Sequence, residues 1–374
     1  MNAPHPSSRR PTWLEIDLDA IQHNFAMARQ AVAPGVQVYP VIKANGYGLG
    51  AVPIAQRLTE AGADGFCVAL VEEADSLRRA GVTLPMVLLS GLTAGVEEAV
   101  ATLHLRPFVA NTDRLLPLHQ AARQRPVSLF LKVDTGMGRL GLAVPKVMAA
   151  VAQVKALPNL HLAGLVSHLA CADEPDHPTN VKQRLCLDQV LAQTGLTGSS
   201  VSLANSAALL SRSANHYAWV RPGIMLYGAS PFFPASTGRE IGLRPVVRWC
   251  TRILQVSDLP TGATVGYGQT FVTQRPSRIA LLPVGYADGY NRLLGNQAVV
   301  LVTGQRVPVV GRVSMDMIAI DVTGLPAVTV GQPVTLLGEE GEAFIDIEEM
   351  AAWRGTIPYE VLCNVGERVP RYYG

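Results

Sequence analysis

The stretch Val127–His168 reads VSLFLKVDTGMGRLGLAVPKVMAAVAQVKALPNLHLAGLVSH. It opens on an apolar run, VSLFLKVDT from Val127, which predicts a strand. Val144–Leu157 repeats its apolar residues at helical spacing. LHLAGLVSHL from Leu160 then predicts a second strand. Near-continuous apolar strands joined through a helix indicate parallel pairing with both sheet faces covered.

Working outward, the same unit recurs. Upstream strand candidates begin near Val36 (VQVYPVIKA), Asp64 (DGFCVAL), Pro85 (PMVLLSG) and Leu105 (LRPFVAN), and downstream ones near Ser200 (SVSLANS) and His216 (HYAWVRPG). Thr112–Gln124 and Val181–Gln193 are further helix candidates. About eight strand–helix units favour a closed barrel over an open sheet. Leu18–Val32 predicts an extra helix ahead of the first barrel strand, capped by Asp17 or Asp19. Past Arg244 helix periodicity fades. Strands are predicted at Arg248–Ser257, Ser277–Val284, Ala298–Thr303, Met315–Val322 and Pro333–Leu337, with one helix at Ile347–Trp353. The fold class is therefore α/β: an N-terminal (β/α)8 TIM-like barrel over residues 13–243 and a C-terminal mostly-β domain over 244–374. Residues 1–12, MNAPHPSSRRPT, are expected to form a disordered tail.

The chain has 374 residues, 48% hydrophobic and 16% charged, against roughly 25% charged in an average soluble chain. That composition excludes intrinsic disorder. The formal net charge is +2, which leaves no electrostatic footprint for nucleic acid. No apolar run reaches the ~18 residues of a membrane span. The N-terminus lacks the apolar stretch of a secretory signal. The five cysteines are odd in number, widely spaced and without a C-x-x-C pair, so neither a disulfide frame nor a zinc site is expected. A cytoplasmic location fits this usage.

Barrel active sites lie at the C-terminal ends of the strands. The predicted strands end in Lys43-Ala44-Asn45-Gly46-Tyr47, Lys132-Val133-Asp134 through Arg139, Ser167-His168, Asn205-Ser206 and Arg221-Pro222-Gly223. Two lysines, two arginines and a histidine would face one mouth, with Asp134 as the carboxylate among them. Such a mouth suits an anionic ligand. Loops after strands seven and eight commonly hold a phosphate, and here they carry Asn205, Ser206, Gly223 and Ile224. A lysine at a strand end loses hydration, which favours the free amine and Schiff-base chemistry with a carbonyl. The plainer readings are a lysine reaching solvent, a packed core histidine, an Asp134–Arg139 surface pair, and packing roles for Met137, Met315 and the cysteines.

Taken together, V-I-K-A-N-G-Y-G, L-K-V-D-T-G-M-G-R-L-G, S-H-L-A, A-N-S-A, V-R-P-G-I-M-L-Y-G, V-G-Y-G, V-G-Y-A-D-G-Y, G-R-V-S-M-D-M and I-P-Y-E-V-L-C occur in this order. The chain resembles the alanine racemases, pyridoxal-phosphate enzymes of bacterial D-alanine supply. The resemblance covers about Trp13 to Tyr373. It implies that Lys43 holds pyridoxal 5'-phosphate covalently. It also implies that Tyr47, Asn205, Ser206, Gly223, Ile224 and Tyr359 lie around the phosphate. By the same resemblance Arg221 faces the pyridine nitrogen and His168 packs on the ring. Arg139 and the backbone at Met315 hold the substrate carboxylate. Lys132 matches a lysine carbamylated in some members. Tyr286 and Asp316, with Tyr359, match supporting or access-channel positions.

Racemisation needs a base on each face of the substrate α-carbon, and the resemblance assigns these to Lys43 and Tyr267. An ordinary tyrosine is ionised roughly once in a thousand at neutral pH, so a nearby charge or donor must assist it. The resemblance supplies a chain Tyr267–His168–Arg221 and a head-to-tail homodimer in which Tyr267 comes from the other subunit. It implies no metal, no nucleic acid and no membrane partner. Two departures stand out: Tyr47-Gly48-Leu49-Gly50 replaces the common Y-G-H-G, and Gly366-Glu367-Arg368-Val369-Pro370-Arg371 replaces S-P-R-V-P-R. Three alternatives share parts of this reading: a serine or broad-specificity racemase, a non-catalytic pyridoxal-phosphate carrier, and an amino-acid decarboxylase. The β domain opposes the carrier, and Arg221 opposes the decarboxylase.

Overall fold

A computed structural model describes residues 10–196 and 200–374. The chain divides into two compact units, Ile21–Ser236 and the N-terminal segment to Ala20 together with Thr237–Gly374.

The first unit is the barrel. Phe66–Val68, Met86–Leu88, Leu105–Val109, Val127–Asp134, Leu160–Val166 and Val201–Ser202 pair in parallel in that order. Closure comes from two further strands. Trp219–Val220 pairs in parallel with Gln37–Val38 and is tied to the seventh strand by Ala218 N–H to Val201 C=O at 3.1 Å and Arg221 N–H to Ala204 C=O at 3.0 Å. Val41 bridges Cys67, completing the circuit of eight. The central strand is covered on both faces: Leu129, Leu131 and Val133 are buried on one and Phe130 and Lys132 on the other. The helices follow the expected segments. Leu115–Ala121, Val147–Lys155 and Pro178–Thr194 lie between strands, and Leu18–Gln30 begins where Asp17 Oδ1 accepts the Ala20 N–H at 2.8 Å.

Aromatic rings fill the barrel below its mouth. Trp219 stands 5.0 Å from Phe130 and 5.1 Å from Tyr39 by ring centroid, and Phe108 meets Phe130 edge-on at 6.1 Å. These are packing distances at which aromatic quadrupoles attract.

The second unit is a largely antiparallel sheet, running Gln255–Leu259, Ser277–Leu282, Ile318–Asp321, Gln305–Val310, Val299–Val302, Pro333–Glu340, Val247–Arg252, Trp13–Ile16 and Arg371–Tyr373. Several expectations need correcting. Trp13–Ile16 belongs to this sheet rather than to the barrel, pairing antiparallel with Val247–Arg252 and parallel with Arg371–Tyr373. The division falls at Ala20 and Thr237, not at residues 12 and 243. The predicted tail is ordered from Arg10, since buried Thr12 Oγ1 lies 2.8 Å from both Thr251 Oγ1 and the Pro283 carbonyl, and Arg10 pairs with buried Asp288. The rest of that tail lies outside the described residues. The single strand expected over Arg248–Ser257 is two, because the chain changes partner from Pro333–Glu340 to Ser277–Leu282. A second helix, Pro358–Cys363, follows Ile347–Trp353.

Candidate active site

Lys43 opens a turn whose next four residues all have positive φ: 52° at Ala44 and Asn45, 62° at Gly46 and 54° at Tyr47. A left-handed conformation costs roughly 1–2 kcal/mol per non-glycine residue, so other contacts must hold it. Asn45 Oδ1 accepts the Ala51 N–H at 2.9 Å, and Glu73 Oε1 accepts the Ala44 N–H at 2.7 Å. The other Glu73 oxygen caps helix Val71–Arg79 through the Ala69 and Leu70 N–H groups at 2.7 and 3.1 Å. The turn leaves Lys43 half-buried at the C-terminal end of the first barrel strand. Leu49, where the family commonly has histidine, is fully buried, which suits an apolar side chain.

Tyr47, Ser206 and Gly223 converge. A Cβ at Gly223 would stand 2.6 Å from the Tyr47 hydroxyl, so any larger residue there would displace the Tyr47 ring tip. The Tyr47 ring packs on Tyr227 at 4.4 Å. Ser206 Oγ accepts the Gly223 N–H at 2.8 Å, which leaves its own proton free to donate. Ile224 follows in a buried 3-10 turn, Ile224–Tyr227. Asn205 Oδ1 caps the short helix Ser206–Ser211 through Ala208 N–H at 3.0 Å.

Arg221, Lys132 and His168 form a second cluster above the aromatic rings. The buried Arg221 guanidinium donates to Ser202 Oγ, to the Ser167 carbonyl at 2.9 Å and to the Leu203 carbonyl at 3.2 Å. It lies 5.6 Å from the Trp219 ring and 6.0 Å from that of Phe108. Lys132 Nζ lies 5.5 Å from Phe108. The ring faces compensate part of this charge. Burial pushes Arg221 down to about 10, still cationic near neutrality. Burial, then the charges of Arg221, Lys132, Arg139 and Lys43, hold His168 well below the usual imidazole value, so its ring is neutral. Arg221 approaches His168 Nδ1 at 3.4 Å. Because arginine only donates, Nδ1 is the acceptor and Nε2 carries the proton.

Asp134 does not pair with Arg139. Its Oδ1 accepts the N–H groups of Gly136, Met137 and Gly138 at 2.9, 2.9 and 3.1 Å. Burial alone would raise this carboxyl, but those donors and Lys132 hold it below the usual range. Exposed Arg139 instead lines a cavity of about 210 Å³ with Asn111, Arg114 and Leu140. The residue types alone gave no signal for Gln183. It is fully buried, donates to the His168 carbonyl at 3.0 Å and to Thr135 Oγ1 at 3.3 Å, and accepts the Ala170 N–H at 2.9 Å. It thus ties the ends of two barrel strands together beside His168.

Burial pushes the Lys132 ammonium down to about 7, with help from Arg221 and Arg139 and against Asp134. Between that value and the ordinary 10.5 the unfolded chain binds more protons, so stability rises with pH across the window and the penalty is complete below it. Lys132→Met should therefore raise Tm by several degrees at about pH 6 in carbon-dioxide-free buffer, with the gain fading towards pH 10. A lower Tm than the parent at the acid end would contradict this.

In the C-terminal unit Tyr267 is 72% exposed on a turn between Gly266 and Gly268. Tyr286 and Met315 are brought together by two hydrogen bonds, Tyr286 N–H to Ser314 C=O at 3.1 Å and Ala287 N–H to Met315 C=O at 3.0 Å. Asp316 pairs with Arg368 at 2.5 Å, and Arg368 Nε reaches Asp288 at 2.8 Å. The departing segment at Gly366–Arg371 thus keeps a structural arginine in use. Tyr359 is half-buried in helix Pro358–Cys363.

Comparison with known proteins agrees with this arrangement. Residues 16–231 match the family model for the alanine racemase N-terminal domain, and residues 246–373 that for the C-terminal domain. The chain belongs to the alanine racemase family. The alanine racemase of Halothermothrix orenii is 41% identical over 371 residues, 97% of each chain. Among solved structures, alanine racemase from E. faecalis superposes with a TM-score of 0.92 at 35% identity, covering 98% of this chain and 99% of that one. Alanine racemase from Bartonella henselae, solved with covalently bound pyridoxal phosphate, has a TM-score of 0.87 at 34% identity and covers 97% and 99%. Membership makes the chain a pyridoxal-phosphate-dependent isomerase. The barrel unit fits that cofactor: the Tyr47–Ser206–Gly223 cradle offers hydroxyl donors to a phosphate, and Lys43 offers an amine. Among the described residues no group of His, Cys, Asp and Glu could hold a metal ion, and no helix is long and apolar enough to cross a membrane.

Proposed function

We propose that the protein interconverts L- and D-alanine, with Lys43 and Tyr267 as the two bases. The observation that carries this reading is the Lys132–His168–Arg221 cluster beside the Tyr47–Ser206–Gly223 cradle, where cations abound and the carboxylate of Asp134 is committed to backbone. Pyridoxal phosphate, when bound, supplies an electron sink that acidifies the substrate α-C–H. The Tyr47 and Ser206 hydroxyls and the backbone at Gly223 and Ile224 bind its phosphate, with Tyr359 beside them. Lys43 Nζ anchors the cofactor and, once released, moves the α-proton on one face. The Tyr267 hydroxyl moves it on the other. Arg139 and the Met315 backbone orient the substrate carboxylate, while Tyr286 and Asp316 line the approach.

Toward the cofactor's ring nitrogen, Arg221 would offer a donor and a positive charge but no acceptor, which would favour the unprotonated nitrogen. A weaker sink limits wandering reactions. Arg221→Glu should therefore raise the transamination product severalfold relative to racemisation, read by pyruvate formation. An unchanged product ratio would remove this role. A neutral His168 with its proton on Nε2 can donate to the Tyr267 oxygen, which lowers the cost of the phenolate. Carbamylation of Lys132, which consumes carbon dioxide and releases a proton, would place an anion among Arg139, Arg221 and His168; its low proton affinity supports that reading.

The catalytic assembly is a head-to-tail homodimer in which Tyr267 acts in the site of a second copy. The exposure of Tyr267, Tyr286, Met315 and Met317 in the C-terminal unit supports such a covered face. The product, D-alanine, serves peptidoglycan synthesis in the cytoplasm. The test is turnover of L-alanine, L-serine and L-lysine with added cofactor in deuterated water. Alanine is expected to lead, with deuterium entering the α-carbon. A chain that binds the cofactor but exchanges no α-proton would overturn the proposal, and faster serine turnover would reassign the substrate.

A further inference from the structure

Gln183 lies on helix Pro178–Thr194 and is 1% exposed. An amide buried this deeply costs stability unless its donors and acceptor are matched, and here both ends are used. Nε2 donates to the His168 carbonyl at 3.0 Å and to Thr135 Oγ1 at 3.3 Å, while Oε1 accepts the Ala170 N–H at 2.9 Å. The opposite amide orientation would set oxygen against a carbonyl and NH2 against an N–H, so the surroundings fix this one.

The bonds beyond it also have a direction. Ser167 Oγ lies 2.8 Å from the Val133 carbonyl, which only accepts, so the serine proton goes there. Thr135 Oγ1, 2.8 Å from Ser167 Oγ, is then the donor of that pair and takes the Gln183 N–H on a lone pair. The chain of donation runs from Gln183 to Thr135, to Ser167, to Val133. Arg221 Nη2 holds the Ser167 carbonyl at 2.9 Å.

These contacts join two parts of the site. Thr135 opens the loop that carries Arg139, and the base of that loop is pinned by pairing of Val133 with Leu142 and Asp134 with Ala143. A Cβ at Gly136 would lie 3.5 Å from Gln183 Cγ, so the loop backbone rests against the glutamine stem. His168 is held at its ring by Arg221, 3.4 Å from Nδ1, and at its carbonyl by Gln183.

We propose that Gln183 is a positioning residue that fixes the Arg139 loop and His168 relative to each other. One side chain then sets both where the substrate carboxylate is held and where the donor to the Tyr267 base stands. This rests on the racemase reading and extends it, with Gln183 acting through Thr135 and His168.

The test compares parent and Gln183→Met holoenzyme. Methionine keeps the length and bulk and gives up the three hydrogen bonds. KM for alanine should rise severalfold. Single-turnover α-proton exchange should fall at least about tenfold more for the enantiomer served by Tyr267 than for the one served by Lys43. Tyr267→Phe identifies which enantiomer is which. Parental kinetics in Gln183→Met would overturn the proposal, as would an equal loss from both enantiomers with KM unchanged, the mark of a merely structural role. If Gln183→Met does not fold, Thr135→Val carries the test, because it cuts the link to the loop and leaves that to His168. Its KM should rise and Thr135→Ser should recover most of the change; an unchanged KM in Thr135→Val would overturn the link. A parent that exchanges neither α-proton would defeat the racemase reading and this proposal with it. A parent that exchanges both, matched by Gln183→Met, would defeat the role of Gln183 alone.

Discussion

Purified Lys43→Ala protein is expected to fold, to lose racemisation by more than about 10⁴-fold, and to lack a borohydride-reducible visible chromophore. Folding should survive because the turn around Lys43 is held by other groups: Glu73 at Ala44, Asn45 at Ala51, and the backbone bonds of Gly46 and Gly48 to Ile42 and Ala44. None of these uses Nζ. The activity loss is large because one side chain both anchors the cofactor and moves a proton. A positioned base alone is worth roughly 10²–10⁴ in rate. Retention of both activity and chromophore would refute the assignment.

Tyr267→Phe is expected to act unequally on the two enantiomers. The hydroxyl contributes no packing, since the side chain is mostly exposed and its turn is shaped by Gly266 and Gly268. Its removal leaves the face served by Lys43 intact. Single-turnover exchange of the α-proton should fall by about 10²–10⁴ from one enantiomer and little from the other. Equal loss from both would argue against a base on each face.

Much of this fold is legible in residue pattern. Val127–Asp134 and Leu160–Val166 declare themselves because strands covered on both faces carry largely apolar runs rather than alternation. The sheet of the C-terminal unit is less legible, because register between distant segments leaves no local trace. Trp13–Ile16 is a short alternating run that only pairing with Val247–Arg252 and Arg371–Tyr373 makes into a strand. The site divides in the same way. Lys43, His168 and Arg221 stand at strand ends, where barrel geometry alone makes them candidates. Gln183, Ser202 and Glu73 act through contacts that form only on folding, and in sequence they are ordinary polar residues. Asn205 stands in a motif, and its Oδ1 also caps a helix, a second use that only the fold reveals.

The shared site is tested most directly by mixing two inactive proteins. Lys43→Ala and Tyr267→Phe, dissociated together and reassociated in equal amounts, should regain about one quarter of parental activity, because half the dimers then hold one intact pair of bases. No recovery, with heterodimers shown to have formed, would place both bases in one chain and contradict the account.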